Sequence, residues 1–514
     1  MRSQPPPRSA PGLLRPTRCE LSEGSEPKLS GSVEQVAGLD AAFLCCETPG
    51  MHMHVCGLLV LDPSTMVGDP YDQIRSMLLG ALTKLPLMRK RLASVPLGVS
   101  RPYWVDDMDF DIDHHLHRTR LAPPGDDRAL ARVAGDVASQ PLRRDRPLWE
   151  AWYLEGLAGG RVALLAKMHH ATIDGVSGVS MMGRLFDFGT PQPGNSALPD
   201  PWQPHRPPSS LALLGRSLVV RLSTPYEIAR LVPATVRRLA ATAGKLGARR
   251  DDAHGTVTPF TAPRTSFNAT LTGRRSIAFA DVPFADVTTV KDAFDVKIND
   301  VVTAVVGGAL RRYLADRGEL PGRPLIAAEP VSVHGQPGVA AGVTKLSVLF
   351  STLATDIEDP VERLRTVAAA NRRAKEISQT MGADTFARWT AVVPPNTLAL
   401  GARLYSGMHL ADRHGVVFNL LLSNVAGPPF ELYLAGAHVM RTYALGPITD
   451  GAGLNVTVIS VGDRVGFGIV VCSDLVPQEW AIADAIPDAL GELKAAARHM
   501  RSGSGPPTRR TRTA

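Results

Sequence analysis

The chain contains no run of the ~18 consecutive apolar residues that a helix needs to cross a bilayer. Its first eight residues, with three consecutive prolines and two arginines, lack the apolar core of a secretory signal peptide. A soluble or peripheral protein is the expectation. Cysteine is sparse: Cys19, Cys45, Cys46, Cys56 and Cys472 form no Cys-x-x-Cys pair and no regular framework. That is the pattern of reduced thiols in a cytosol, not of a disulfide-stapled secreted domain. No Gly-x-Ser-x-Gly occurs, which argues against a hydrolase-type serine nucleophile. No P-loop and no Gly-x-Gly-x-x-Gly after a strand occurs either, so nucleotide hydrolysis and dinucleotide redox chemistry lose their usual phosphate cradles.

What is present fits a large globular protein with ample core. At 514 residues the chain exceeds one compact core, and two domains is the natural division. Apolar residues make up 44% and charged residues 20%. The net charge of +7 sits in the tails. Arg2, Arg8, Arg15 and Arg18 at the front and Arg501, Arg509, Arg510 and Arg512 at the end are eight positive charges without an acid among them, so the body carries −1. Nucleic-acid binding by the folded part is therefore not expected.

Strand-like and helix-like patterns alternate along the body, which predicts an α/β fold with mixed sheets. Residues 1–33 read as a disordered, basic, proline-rich extension, and 501–514 as a disordered basic tail. A first domain is expected over 34–190. It holds a strand at 57–61, a helix over 71–92, an extended segment at 101–105 and a helix over 128–139. Residues 191–258 form a proline-rich connector followed by a basic stretch. There Ile228, Val232, Val236, Leu239 and Leu246 share one helical face, while Arg230, Arg237, Arg238 and Lys245 lie opposite, with Pro233 as a break. Such a helix either packs with a solvated basic face or lies on an anionic lipid surface. A second domain is expected over 259–500. It contains a helix from Val301 capped by Asn299 or Asp300, a strand over 415–422 ending at Ser423-Asn424, a hairpin around Gly462-Asp463, and a closing helix over 477–499.

The most informative segment is Lys167-Met168-His169-His170-Ala171-Thr172-Ile173-Asp174-Gly175, directly after the apolar run Val162 to Ala166. A buried strand running into a tight turn, from which a helix leaves near Gly175, would hold a histidine rigidly at a sheet end. An imidazole with an unperturbed pKa near 6.5 can take a proton at neutral pH. Adjacent strand residues face opposite ways, so at most one of the two histidines can point into a site. Satisfied core histidines remain an alternative. Metal ligation by His169, His170 and Asp174 is disfavoured, because histidine pairs chelate best at i, i+4 on one helix. His114-His115 lacks the Asp-Gly and the preceding apolar run, and reads as a decoy.

Combined with Leu39-Asp40-Ala41-Ala42-Phe43, Met53-His54-Val55, Pro147-Leu148-Trp149, Asn299-Asp300-Val301-Val302, Pro330-Val331-Ser332 and Ser423-Asn424-Val425, this motif resembles the bacterial wax ester synthase/diacylglycerol acyltransferase family. The resemblance runs from about Gly38 to about His499 and is strongest to actinobacterial triacylglycerol synthases. It implies two chloramphenicol-acetyltransferase-like domains with a tunnel and active site at their interface. It also implies acyl-CoA as co-substrate without a further cofactor, and diacylglycerol or a long-chain alcohol as acceptor. His170 would be the general base, with His169 beside it and Asp174 orienting the loop through an arginine. Asn299, Ser423 and Asn424 would position substrate or stabilise an oxyanion, and Gly175, Pro147, Trp149 and Asp300 would be structural. The implied location is cytoplasmic, at the inner face of the membrane or on lipid droplets. Two other readings keep the fold: a carrier-protein-dependent condensation enzyme, and a non-catalytic lipid-binding or droplet-coating protein. The chain departs from the family pattern at His334, Val343 and Ala426.

Overall fold

The computed structural model describes residues 33–172, 187–188, 202–222, 228–229, 231–233, 235, 237, 261–332, 346–381, 390 and 392–503. They build a mixed α/β architecture around two large sheets. The first sheet has seven strands in the order β5 (Leu116–Arg120), β6 (Trp149–Glu155), β7 (Val162–His169), β2 (His54–Asp62), β14 (Ala437–Leu445), β13 (Leu432–Leu434) and β8 (Asp187–Phe188). The second has six: β11 (Leu346–Thr352), β10 (Ile326–Ser332), β12 (Leu420–Ala426), β15 (Leu454–Val461), β16 (Arg464–Cys472) and β9 (Arg275–Pro283). A small third sheet joins β1 (Glu34–Gln35), β4 (Tyr103–Asp106) and β3 (Lys90–Ala93). Sheet membership crosses sequence order late in the chain. The segment 432–445, expected within the second domain, adds two strands to the first sheet, with β14 pairing antiparallel to β2.

Burial explains the strand sequences. β7 is buried at every position but Ala166, and it pairs on one side with β2 (His54↔His169) and on the other with β6 (Trp149↔Met168). A central strand with both faces covered reads as a continuous apolar run, which is why Val162 to Ala166 shows no alternation. One face carries Leu61, Trp149, Leu164 and Met168 against α2 (Pro70–Lys84). The other face packs on α3 (Asp127–Ser139). That helix also lies against β9 of the second sheet. One apolar core therefore joins Leu58, Val60 and Leu165 of the first sheet to Ile277, Phe279 and Val470 of the second. Squeezed on two sides, α3 buries mostly small residues: Ala129, Ala131, Ala134, Gly135 and Ala138.

The buried C-terminal end of α3 needs partners for its last carbonyls. Lys167, fully buried on β7, donates to Val137 O (3.0 Å) and Gln140 O (2.6 Å), and its Nζ lies 3.5 Å from Glu150 Oε2. His54 on β2 meets Ala138 O at 2.8 Å. Burial lowers the pKa of Lys167 and takes that of His54 down to about 3, so the imidazole is neutral. After α4 (Ser210–Leu222), the second sheet is backed by α5 (Phe284–Phe294), α6 (Ile298–Asp316), α7 (Pro360–Met381) and α9 (Glu479–Gly503), which share the largest core.

Three expected boundaries move, each for a local reason. The helix expected over 71–92 stops at Lys84, because Pro86 drives Leu85 out of helical geometry (φ −127°, ψ 69°). Residues 86–89 then form a short 3-10 turn before β3. The strand expected over 415–422 starts only at Leu420. Before it, buried Asn419 turns sideways, its side chain accepting from Ile326 N–H (2.8 Å) and donating to Pro263 O (2.6 Å). Ser423 and Asn424 therefore lie within β12, not beyond it. Finally, α6 is capped at Lys297 and not at Asn299 or Asp300; Asp300 acts from the third helical position, accepting from Lys297 N–H (3.0 Å). The expected hairpin is present, with Gly462 at φ +56° between β15 and β16.

The sheets meet where β14 crosses β16. A Cβ on Gly466 would overlap the Thr442 carbonyl oxygen, and one on Gly468 the Ala444 carbonyl oxygen. Gly468→Ala should therefore lower stability by about 1–3 kcal/mol, the usual cost of overpacking a tight site. Urea unfolding monitored by circular dichroism measures this; an unchanged midpoint would show that the seam can open without penalty.

Candidate active site

The histidine pair ends β7 and enters a 3-10 turn, His170–Thr172. Backbone hydrogen bonds hold both residues. His169 N–H donates to Leu148 O (3.0 Å) and His170 N–H to Met53 O (2.8 Å). This gives the Pro147-Leu148-Trp149 segment its local purpose. Leu148 is buried in a small cluster with Ala171, Leu44 and Trp104 while its carbonyl fixes His169. Trp149 donates Nε1–H to Met88 O (2.8 Å) and stacks on His115 at 4.5 Å. His115, on the face read as a decoy, is a buried structural residue whose Nδ1 meets Trp149 O at 2.7 Å.

The two imidazoles face different surroundings. His169 is 1% exposed. Its Nδ1 accepts from Ala171 N–H (3.0 Å), which leaves the ring proton on Nε2, 3.3 Å from Glu47 Oε1. His170 is half-buried, and its ring lies 4.3 Å from that of Phe43 on α1 (Gly38–Cys46). One histidine is thus locked inward at the strand's last position, and the other, already in the 3-10 turn, is turned toward α1.

Glu47 was not anticipated from sequence. Its Oε1 accepts from Met53 N–H (3.0 Å) and its Oε2 from Arg144 Nη2 (2.7 Å), which also donates to Leu44 O (2.6 Å). Burial pushes its carboxyl up, but the bonds from His169 and Arg144 outweigh that and hold it down at about 2. The loop from Glu47 to Met53 is clamped from the second sheet as well. Arg275 on β9 donates to Gly50 O (2.5 Å), and a side chain on Gly50 would overlap the Leu271 carbonyl oxygen.

A second polar cluster lies on the second sheet. Asn299 Nδ2 donates to Glu329 Oε2 (3.1 Å), and Asn424 Nδ2 donates to Asn299 Oδ1 (3.2 Å). Asp300 accepts from Asn371 Nδ2 (2.9 Å). The structure thus brings two of the three expected positioning residues together, with Ser423 adjacent in β12. Nothing in the sequence pattern pointed to Glu329, 30 positions from Asn299, or to Asn371, 71 positions from Asp300. Asp174, Gly175, His334 and Val343 lie outside the described residues, as do Arg230, Arg238 and Lys245 of the basic stretch; Ala426 ends β12.

Two family models match the chain. The wax ester synthase/diacylglycerol acyltransferase catalytic domain covers residues 36–302, and its C-terminal domain covers residues 344–494. A putative diacylglycerol O-acyltransferase of Mycobacterium tuberculosis is 40% identical over 473 residues, spanning 91% of this chain and 92% of the relative. The solved wax ester synthase/diacylglycerol acyltransferase of Marinobacter aquaeolei is 27% identical, with a TM-score of 0.64 over 90% of this chain and 100% of that one. A trichothecene 15-O-acetyltransferase of Fusarium sporotrichioides shares the fold at 12% identity, with a TM-score of 0.53 over 93% of this chain and 100% of that one.

Because the Glu47 carboxyl is depressed on folding, its contribution is present above the ordinary carboxylate pKa and lost as pH falls toward 2. Glu47→Gln should melt earlier at neutral pH, by an equivalent of about 2–3 kcal/mol after allowing for the half-exposed Arg144. It should also lack the wild-type loss between about pH 4.5 and 2. Thermal melts of both proteins across that range check this, and parallel curves would place the carboxylate outside the stabilising network.

Proposed function

The chain belongs to the wax ester synthase/diacylglycerol acyltransferase family, and we propose that His170 is its general base in transferring an acyl group from acyl-CoA to the hydroxyl of diacylglycerol or a long-chain alcohol. The chain is an acyltransferase by that membership. The observation that supports the choice of base is the asymmetry of the two histidines. His169 is 1% exposed, its Nδ1 accepts from Ala171 N–H and its Nε2 lies 3.3 Å from Glu47 Oε1, so that ring is enclosed in holding the turn. His170 has its backbone fixed by Met53 and its ring half-buried beside Phe43, an arrangement that suits a positioned base.

In this reading His170 takes the proton from the acceptor hydroxyl as its oxygen forms a bond to the thioester carbonyl carbon. The tetrahedral oxyanion is met by polar donors, for which Asn299, Ser423 and Asn424 are the candidates. The carbon–sulfur bond then breaks, and the proton held by His170 passes to the departing CoA thiolate. No covalent acyl-enzyme and no cofactor are required, since the thiolate already leaves readily. The family resemblance assigns Asp174 to orienting the turn. General-base catalysis supplies about 10² to 10⁴ in rate; the remainder comes from holding both substrates in position.

His170→Ala should cut turnover by roughly 10²-fold or more while leaving the melting temperature close to wild type. His169→Ala should keep part of the activity and melt earlier, because it removes the partner of a buried carboxylate. CoA release from palmitoyl-CoA, with and without diacylglycerol, measures both. Acceptor-independent inertness would support a non-catalytic lipid-binding protein, and transfer only from an acyl-carrier protein would support the condensation reading.

We further infer peripheral docking at the cytoplasmic face of a membrane or on a lipid droplet. No helix among the described residues is long and apolar enough to cross a membrane. Support comes from α8 (Pro395–Gly407), which packs on α1 and presents Leu400 (59% exposed), Leu404 (50%) and, just past its end, Met408 (51%) at four-residue spacing. Arg237 of the basic stretch is exposed. Replacing Arg230, Arg237, Arg238 and Lys245 by Gln should remove the salt-sensitive part of binding to anionic vesicles, at about 1 kcal/mol per charge. Replacing Leu400, Leu404 and Met408 by Ser should weaken the salt-insensitive part. Vesicle co-sedimentation at low and high salt measures both, and equal binding by all three proteins would overturn the docking surface.

A further inference from the structure

One buried acid next to the Asn299–Asn424 pair has no role in the chemistry above. Glu329 is 6% exposed and sits in the middle of β10, a strand flanked by β11 and β12. A buried carboxyl is costly unless its oxygens are satisfied, and core strands rarely carry one. Here each oxygen has a partner on α6. Oε2 accepts from Asn299 Nδ2 (3.1 Å), and Oε1 lies 3.4 Å from the Thr303 hydroxyl, one helical turn further on. Burial pushes its pKa up; the bonds from Asn299 and Thr303 oppose the shift, while the Asp300 charge adds to it.

The geometry reaches outward through Asn299. A carboxamide has a donor end and an acceptor end, and nothing in its shape decides which way round it sits. Glu329 Oε2 presents an acceptor, so it draws the Nδ2 end of Asn299 inward. That leaves Oδ1 to receive Asn424 Nδ2 (3.2 Å) from the exposed side of β12. With both ends assigned, one N–H of Asn299 is used by Glu329. Among the described residues no protein acceptor takes the other. A Leu or Met at 329 would remove the acceptor and let the amide turn over.

We propose that Glu329 is a positioning residue for acyl transfer, fixing the orientation of the Asn299 carboxamide so that its second N–H is held out toward substrate. This rests on the acyltransferase reading above and on the assignment in it of Asn299 as a candidate oxyanion donor. Glu329 touches no substrate; it acts through Asn299. The hydrogen bond it supplies is of the ordinary kind, so its loss is felt as about a tenfold fall in rate and not as abolition.

The test uses the full chain with palmitoyl-CoA and diacylglycerol, measuring kcat and KM for wild type, Glu329→Leu, Glu329→Gln, Asn299→Ala and the Glu329→Leu/Asn299→Ala double variant. Glu329→Leu should lower kcat about tenfold with KM for diacylglycerol changed by less than about twofold. Glu329→Gln, which can still present a carbonyl oxygen to Asn299, should recover to within about threefold of wild type. The double variant should be no slower than Asn299→Ala alone, since the two side chains act as one unit. Where Glu329→Leu does not fold, as judged by its melting curve, Glu329→Met of similar length takes its place. Multiplying losses in the double variant, a change confined to KM, or a Gln variant as slow as Leu would each overturn the assignment. A wild-type chain that releases no CoA fails the acyltransferase reading itself, whereas variants that misbehave against an active wild type fail only the role of Glu329.

Discussion

The carboxylate of Glu47 ties together the end of α1, the loop to Met53, the His169 ring and the Arg144 guanidinium, and the histidine turn takes its position from these ties. The site depends on this because a 3-10 turn of three residues cannot hold an imidazole by itself. The turn is short and its position comes entirely from what surrounds it. Leu148 and Met53 supply the backbone partners, Glu47 supplies the ring partner, and Arg275 carries the constraint across to β9 of the second sheet. A displacement of either sheet would therefore be felt at His170 through a chain of direct contacts. That is the kind of rigid support that positioning catalysis demands.

The same logic governs α3. A helix buried on two sides must be thin, which selects alanine and glycine, and its terminal carbonyls must be met inside the protein. Lys167 and His54 meet them from adjacent strands, two residues before the histidine pair and opposite it. A lysine in a strand core would be costly without partners. With two carbonyls accepting and Glu150 nearby, it locks the register of β7 against α3, because a shift by one residue would bury the ammonium against the apolar face.

Patterns set by local physics were legible before the fold was known. The apolar run of β7, the hairpin at Gly462-Asp463 and the α3 segment all follow from periodicity and turn chemistry within a few residues. What could not be read depends on long-range approach. Glu47 and His169 are 122 positions apart or so in the chain, and Arg275 reaches a carbonyl 225 positions away. No spacing rule encodes such pairs. The misplaced start of β12 has the same origin: Gly415 to Phe418 look like a strand, but Asn419 is claimed by Ile326 and Pro263, and the ladder yields to that tertiary demand. Pro86, by contrast, was a local signal, and it ends α2 where proline chemistry requires.

The late arrival of β14 has a consequence for how the polypeptide is made. β2 leaves the ribosome early and finds β7 on one side, but its other edge stays open until Ala437–Leu445 has been translated. At roughly 5–20 residues per second, that wait is on the order of a minute. Throughout it the nascent chain displays an apolar strand with unpaired amide and carbonyl groups, the kind of edge that recruits other chains. The histidine-bearing sheet therefore completes only near the end of synthesis, which makes the growing protein a natural client for chaperones that shield strand edges.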